Sequence, residues 1–87
     1  MLVGNHEFSW DDVPNQYNWI AQDLNGCVAY YVNKPVMFFD GEMWTNSVKR
    51  ADDFWTQVQR GEKNLDWKTS ILKRPTIKEK LDKILKE

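Results

Sequence analysis

Residues 17–32, Tyr17-Asn18-Trp19-Ile20-Ala21-Gln22-Asp23-Leu24-Asn25-Gly26-Cys27-Val28-Ala29-Tyr30-Tyr31-Val32, decide the fold. Tyr17, Trp19 and Ala21 alternate with Asn18, Ile20, Gln22 and Leu24, a period of two that sends successive side chains to opposite faces of a strand. Asn25-Gly26 follows. Both central positions of a type I′ turn need positive φ, and Asn-Gly adopts it with least strain. Cys27–Val32 returns as a second strand rich in β-branched and aromatic residues. The stretch predicts an antiparallel hairpin.

Working outward, Asn33-Lys34-Pro35 interrupts the ladder, because Pro35 has no amide proton to give. Val36–Phe39 resumes as a strand and ends at Asp40-Gly41, a second turn signal. Glu42–Thr45 reads as a short strand carrying Met43 and Trp44. Sequential strands usually neighbour one another, so a meander is the simplest arrangement. Residues 46–60 fit two templates. Val48, Ala51, Phe54, Trp55 and Val58 fall on one helical face, while Phe54–Gln59 also alternates as a strand ending before Gly61.

Beyond Pro75, Thr76-x-x-Glu79 forms a capping box, in which side chain and backbone satisfy each other's free amides. Ile77, Leu81, Ile84 and Leu85 follow at helical spacing, with Lys83 and Lys86 near the end where they favour the helix dipole. An eleven-residue helix is too short to stand alone in water, so its apolar stripe would dock on the sheet or on a second chain. The expected fold is α+β: a small antiparallel β-meander of about four strands with a C-terminal amphipathic helix. One domain over 1–87 is expected, with the sheet at about 17–59, a closing segment at 66–75 and the helix at 76–86.

Composition narrows the function. The chain has 87 residues and a net charge of −1, which fits neither non-specific DNA coating nor a strongly acidic DNA mimic. One cysteine permits no internal disulfide and is too few for a structural zinc site, as in a reducing cytosol. No apolar run is long enough to span a membrane, and the first residues do not read as a signal peptide. Residues 1–48 are acid-rich and residues 49–87 base-rich. That asymmetry suits two solvated faces of one domain, a tail packed on its own body, or a head-to-tail dimer. Five Trp, four Phe and three Tyr exceed what a surface carries, so most must be core.

Catalytic chemistry is hard to assemble from these residues. His6 is the single histidine and has no evident acid–base partner beyond Glu7. Cys27 follows a turn glycine, as a small buried hydrophobe does, and nothing in the spacing joins it to His6. Asp11-Asp12 and Asp52-Asp53 lack the glycine and alternating oxygens of a calcium loop. No phosphate loop, metal cluster or nucleophile elbow is present. The expectation is no enzyme, no cofactor and no metal.

Trp67-x-x-Ser70 and Arg74-Pro75 carry two readings. A Trp beside an Arg could hold a nucleotide's base and phosphate. Alternatively, Trp67 and Ile71 pin the final segment to the sheet while Arg74 pairs with an acid of the N-terminal half. The basic residues Lys49, Arg50, Arg60, Lys63, Lys68, Lys73 and Arg74 are interleaved with aromatics, as in single-strand nucleic-acid binders, but Asp52, Asp53, Glu62 and Asp66 dilute them.

Together, Pro14-x-x-Tyr17-x-Trp19-Ile20-Ala21-x-Asp23-x-Asn25-Gly26, Tyr31, Lys34-Pro35, Trp44 and Asp66-Trp67-Lys68-x-Ser70-Ile71-x-x-Arg74-Pro75 form a pattern. It resembles that of a group of small, mostly uncharacterised tailed-bacteriophage proteins over about residues 10–75. Those proteins have Leu where this chain has Ile71, and many stop near the Arg-Pro that this chain runs past. The resemblance implies a strand at 54–59 and a phage early or accessory protein working in the cytoplasm of the bacterial host.

The function expected is a non-enzymatic accessory protein that binds and inhibits a host factor, such as a component of anti-phage defence. Trp44, Trp55, Trp67, Ser70 and Arg74 are the candidate binding residues. Ile77, Leu81, Ile84 and Leu85 form a candidate helix interface through which a homodimer could pair. The alternatives are a small-ligand binder that sequesters a signalling nucleotide and, less favoured, a single-stranded nucleic-acid binder. A protein partner is expected, a nucleotide ligand is the second choice, and no membrane is involved.

Overall fold

The structure, a computed structural model, describes residues 1–45 and 55–76, with backbone alone for 55–60. Eight short strands run through the described residues: β1 (Leu2–Val3), β2 (His6–Glu7), β3 (Trp19–Gln22), β4 (Cys27–Tyr31), β5 (Val36–Phe38), β6 (Met43–Thr45), β7 (Trp55–Arg60) and β8 (Ile71–Lys73). Two three-residue 3₁₀ turns, Trp10–Asp12 and Trp67–Thr69, are the only helical pieces among them. The strands form three antiparallel sheets, so the expected α+β class is corrected to an all-β arrangement. The stretch read as a C-terminal helix, with Ile77, Leu81, Ile84 and Leu85, lies outside the described residues apart from Thr76.

The hairpin of residues 17–32 forms as β3 and β4, with Ile20 opposite Tyr30 and Ala21 opposite Ala29. Its turn differs from expectation. Gly26 N donates to Asp23 O and Asp23 N donates to Cys27 O, and Gly26 alone of the pair has positive φ, at 90°. This is the longer loop in which a glycine in the left-handed region closes the turn as a bulge. Asn25 instead accepts from Cys27 N through its side chain.

The meander is also corrected. The main sheet has the order β7-β4-β3-β8, and β5 pairs only with β6 in a separate hairpin. Pro35, which cannot donate, marks where the chain leaves the sheet. β7 takes the free edge of β4, with Trp55 opposite Tyr31 and Gln57 opposite Ala29. That gives 55–60 to the strand template. β8 adds to β3, with Ile20 opposite Leu72. The N-terminal hairpin β1–β2, turned by Gly4 at φ 59°, was not legible in the sequence.

Strand alternation divides the interior between the two faces of the main sheet. Ile20, Val28 and Tyr30 pack with Val3, Trp10, Val13 and Tyr17 on one side. Ala21, Ala29 and Tyr31 pack with Trp44 and Trp67 on the other, flanked by Trp19 and Ile71. Trp19 and Ala21 keep the shared face read from the alternation. Tyr17, before the strand begins, joins the opposite cluster.

Candidate functional site

The closing motif is an internal latch. Trp67 is 3 % exposed, and its carbonyl accepts from Trp44 Nε1 at 3.0 Å. Ser70 is buried, donating its hydroxyl to Asp66 O at 2.9 Å and accepting from Asn64 Nδ2 at 2.7 Å. Arg74 reaches back to the N-terminal segment, as expected, but to carbonyls and not to an acid. Its guanidinium donates to the backbone oxygens of Trp10, Val13, Pro14 and Tyr17 at 2.9–3.2 Å. A fork of five N–H donors suits this role, because it can satisfy several converging carbonyls at once. These three side chains were the nucleotide candidates; the polar groups of Ser70 and Arg74 are taken up by internal hydrogen bonds, and the Trp67 ring is packed inside the fold.

Trp44, read as a binding residue, is 5 % exposed and held on three sides. Its amide donates to Asp23 Oδ1 at 2.8 Å, its carbonyl accepts from the Tyr31 hydroxyl at 3.2 Å, and its indole N–H reaches Trp67 O. Trp55 lies on β7, and its side chain is outside the description. Sequence reasoning also missed Gln22. Its amide is fully buried, accepting from Asn5 N and Asn64 Nδ2 while donating to Asn5 Oδ1 and Gly26 O. All four of its hydrogen-bonding positions are satisfied, which a buried amide needs.

Among the described residues, exposed large apolar side chains are concentrated on the β5–β6 hairpin. Val36, Met37, Phe38, Phe39 and Met43 are each between 38 % and 60 % exposed. Register puts Phe38 opposite Met43 and Val36 opposite Thr45, on the face away from buried Trp44. The ring of Phe39 meets Trp67 edge-on and lies under Lys68 Nζ at 5.4 Å. The sequence signal was there: four apolar residues in a row, without alternation.

Beside this hairpin lies a recess of about 170 Å³, lined by Asp23, Cys27, Tyr31, Met43, Trp44 and Thr45 among others. Asp23 is 8 % exposed, and burial raises its carboxyl above the usual carboxylate range against the opposing pull of the Trp44 amide. Burial and the neighbouring Asp23 charge push the Tyr31 phenol up as well. Both shifts follow from removing charge from water. His6 lines a different hollow from Cys27, with Gly61 and Glu62.

Among the described residues no three His, Cys, Asp or Glu side chains are grouped to hold a metal ion, and no helix is long and apolar enough to cross a membrane. Comparison of the chain with protein-family models, curated proteins and solved structures gives no match.

Proposed function

We propose that this protein is a non-enzymatic, phage-type accessory protein that binds a host protein through its β5–β6 hairpin, acting as an inhibitor in the bacterial cytoplasm. The carrying observation is the strip of Val36, Phe38 and Met43, which stands outside the main sheet with its side chains about half exposed. A small domain has little apolar surface to spare, and a contiguous exposed patch is the usual mark of an interaction site. Met and Phe are favoured in interface cores. The inhibitor role rests on the phage-like motif and not on the hairpin. The nucleotide reading draws no support from Trp67, Ser70 or Arg74, whose contacts are internal.

The test compares tagged wild type with Val36→Lys/Phe38→Lys in capture from a bacterial lysate, followed by native mass spectrometry. The reading expects a stoichiometric protein with the wild type that the double variant loses. Recovery of the same proteins by both, or of none by either, overturns it.

A further inference from the structure

The recess beside the hairpin holds a carboxylate one of whose oxygens has no hydrogen-bond partner among the described residues. Asp23 Oδ1 accepts from Trp44 N at 2.8 Å, which ties β6 to the β3–β4 turn. Among the described residues no cation reaches the carboxylate, and that amide is its only side-chain hydrogen bond. A buried charge without a counter-ion is costly and is normally paired. The structural role of Asp23 needs an acceptor at Oδ1 and no charge, so an asparagine would serve it equally.

The recess has the size and walls for one aliphatic cation. A water takes up about 30 Å³ of liquid, so 170 Å³ matches roughly six of them, enough for the end of a straight side chain. Tyr31, Met43 and Trp44 provide apolar and aromatic walls that suit methylenes and attract an ammonium. A guanidinium would seek both carboxylate oxygens as a fork, and one is already taken by the Trp44 amide. A compact ammonium needs only one.

We propose that the Asp23 recess receives the ammonium of a lysine side chain on the partner protein, next to the apolar strip of the hairpin. Met43 and Thr45 belong both to the outward face of the hairpin and to the wall of the recess, so one docked surface would cover the two together. This rests on the protein-binding reading and supplies the partner's chemistry: an apolar patch bearing a lysine.

The experiment titrates the ¹⁵N-labelled full-length chain with n-butylammonium chloride and, in parallel, with n-butanol at matched ionic strength, following amide shifts. The proposal expects saturable shifts at Cys27, Tyr31 and Trp44 with butylammonium and none with butanol. It also expects binding at least about tenfold weaker in Asp23→Asn, which keeps the acceptor for the Trp44 amide. Equal responses to amine and alcohol, no saturation, or an unchanged affinity in a folded Asp23→Asn each overturn it. If that variant does not fold, the amine–alcohol comparison on the wild type decides. Failure here with hairpin-dependent capture intact removes the lysine and leaves the docking reading. Butylammonium binding with capture indifferent to the hairpin variant removes docking and leaves the cation recess.

Discussion

The guanidinium carbon of Arg74 lies 4.9 Å from the centre of the Trp10 ring, while its N–H groups gather the carbonyls of Trp10, Val13, Pro14 and Tyr17. One side chain just past β8 thus fastens the segment that covers the first face of the main sheet. Phe8 meets the same indole edge-on at 5.1 Å, so the ring is fixed by packing and by charge. Its own N–H is buried and finds no acceptor among the described residues. Trp10 is therefore held as a ring and not through its polar group.

Replacing Arg74 by Lys should destabilise the fold nearly as much as replacing it by Ala. A single ammonium cannot serve four carbonyls arranged around a plane. Hydrogen bonds to charged groups contribute about 1.5–3 kcal/mol each and do not add in full, so a loss of about 2–4 kcal/mol is expected. For a domain of this size that lowers Tm by on the order of 10–20 °C, readable by circular dichroism. A Lys variant within a few degrees of wild type would assign the stabilisation to Trp10 packing and not to the fork.

The β3–β4 hairpin was legible because alternation and turn residues are local. The order of the sheet was not. Which strand occupies the edge of β4 depends on Trp55–Arg60, a pairing that crosses some two dozen residues of chain, and Pro35 only hinted that β5 would turn away. Alternation put Gln22 on the same face as Ile20, yet its partners Asn5 and Asn64 lie far away in sequence. Arg74 could be read as a clamp on the N-terminal half, but carbonyl acceptors leave no trace in residue type. Trp44 and Trp67 looked like platforms because a ring's identity says nothing of which side of a sheet it meets.

Gly26→Ala should be among the most damaging single changes. A Cβ at φ 90° is strained, and it would be driven into the carbonyl oxygens of Gly61 and Glu62, where two turns meet backbone to backbone. Gly41→Ala is the control: its φ is not positive, and the new Cβ would meet the exposed Phe38 ring at 2.7 Å, which can swing away. Urea midpoints should fall sharply for the first and by less than about 1 kcal/mol for the second. Equal losses would mean that neither the left-handed φ nor the facing carbonyls constrain position 26.

Asp23 predicts a pH signature. Its carboxyl is raised in the folded protein, with burial the main cause. The neutral form is therefore favoured by folding: the contribution is fully present below the unfolded pKa and is lost as pH rises through the folded one. Asp23→Asn keeps the acceptor for Trp44 N without the charge. It should be more stable than wild type at pH 7, and the difference should shrink as pH falls through the range of Asp titration. Thermal melts of both proteins from pH 3 to pH 7 check this. A gap that widens toward acid would mean that the charge is stabilising and the recess already neutralised. A gain in stability alongside lost butylammonium binding would identify Asp23 as a residue kept for recognition at the expense of the fold.

The hairpin makes the opposite trade. Val36 and Phe38 are 47 % and 49 % exposed, so about half of each side chain lies against the protein, where the methylenes of a lysine can take its place. Surface substitutions of this kind usually change stability by less than about 0.5 kcal/mol each. Wild type, with an apolar strip on a sheet that has two strands among the described residues, should self-associate as concentration rises, since unpaired edges and exposed apolar side chains template further pairing. Val36→Lys/Phe38→Lys should melt within a few degrees of wild type and remain monomeric by light scattering at concentrations where wild type does not. A large fall in Tm would show instead that the strip is part of the core and not a surface held open for a partner.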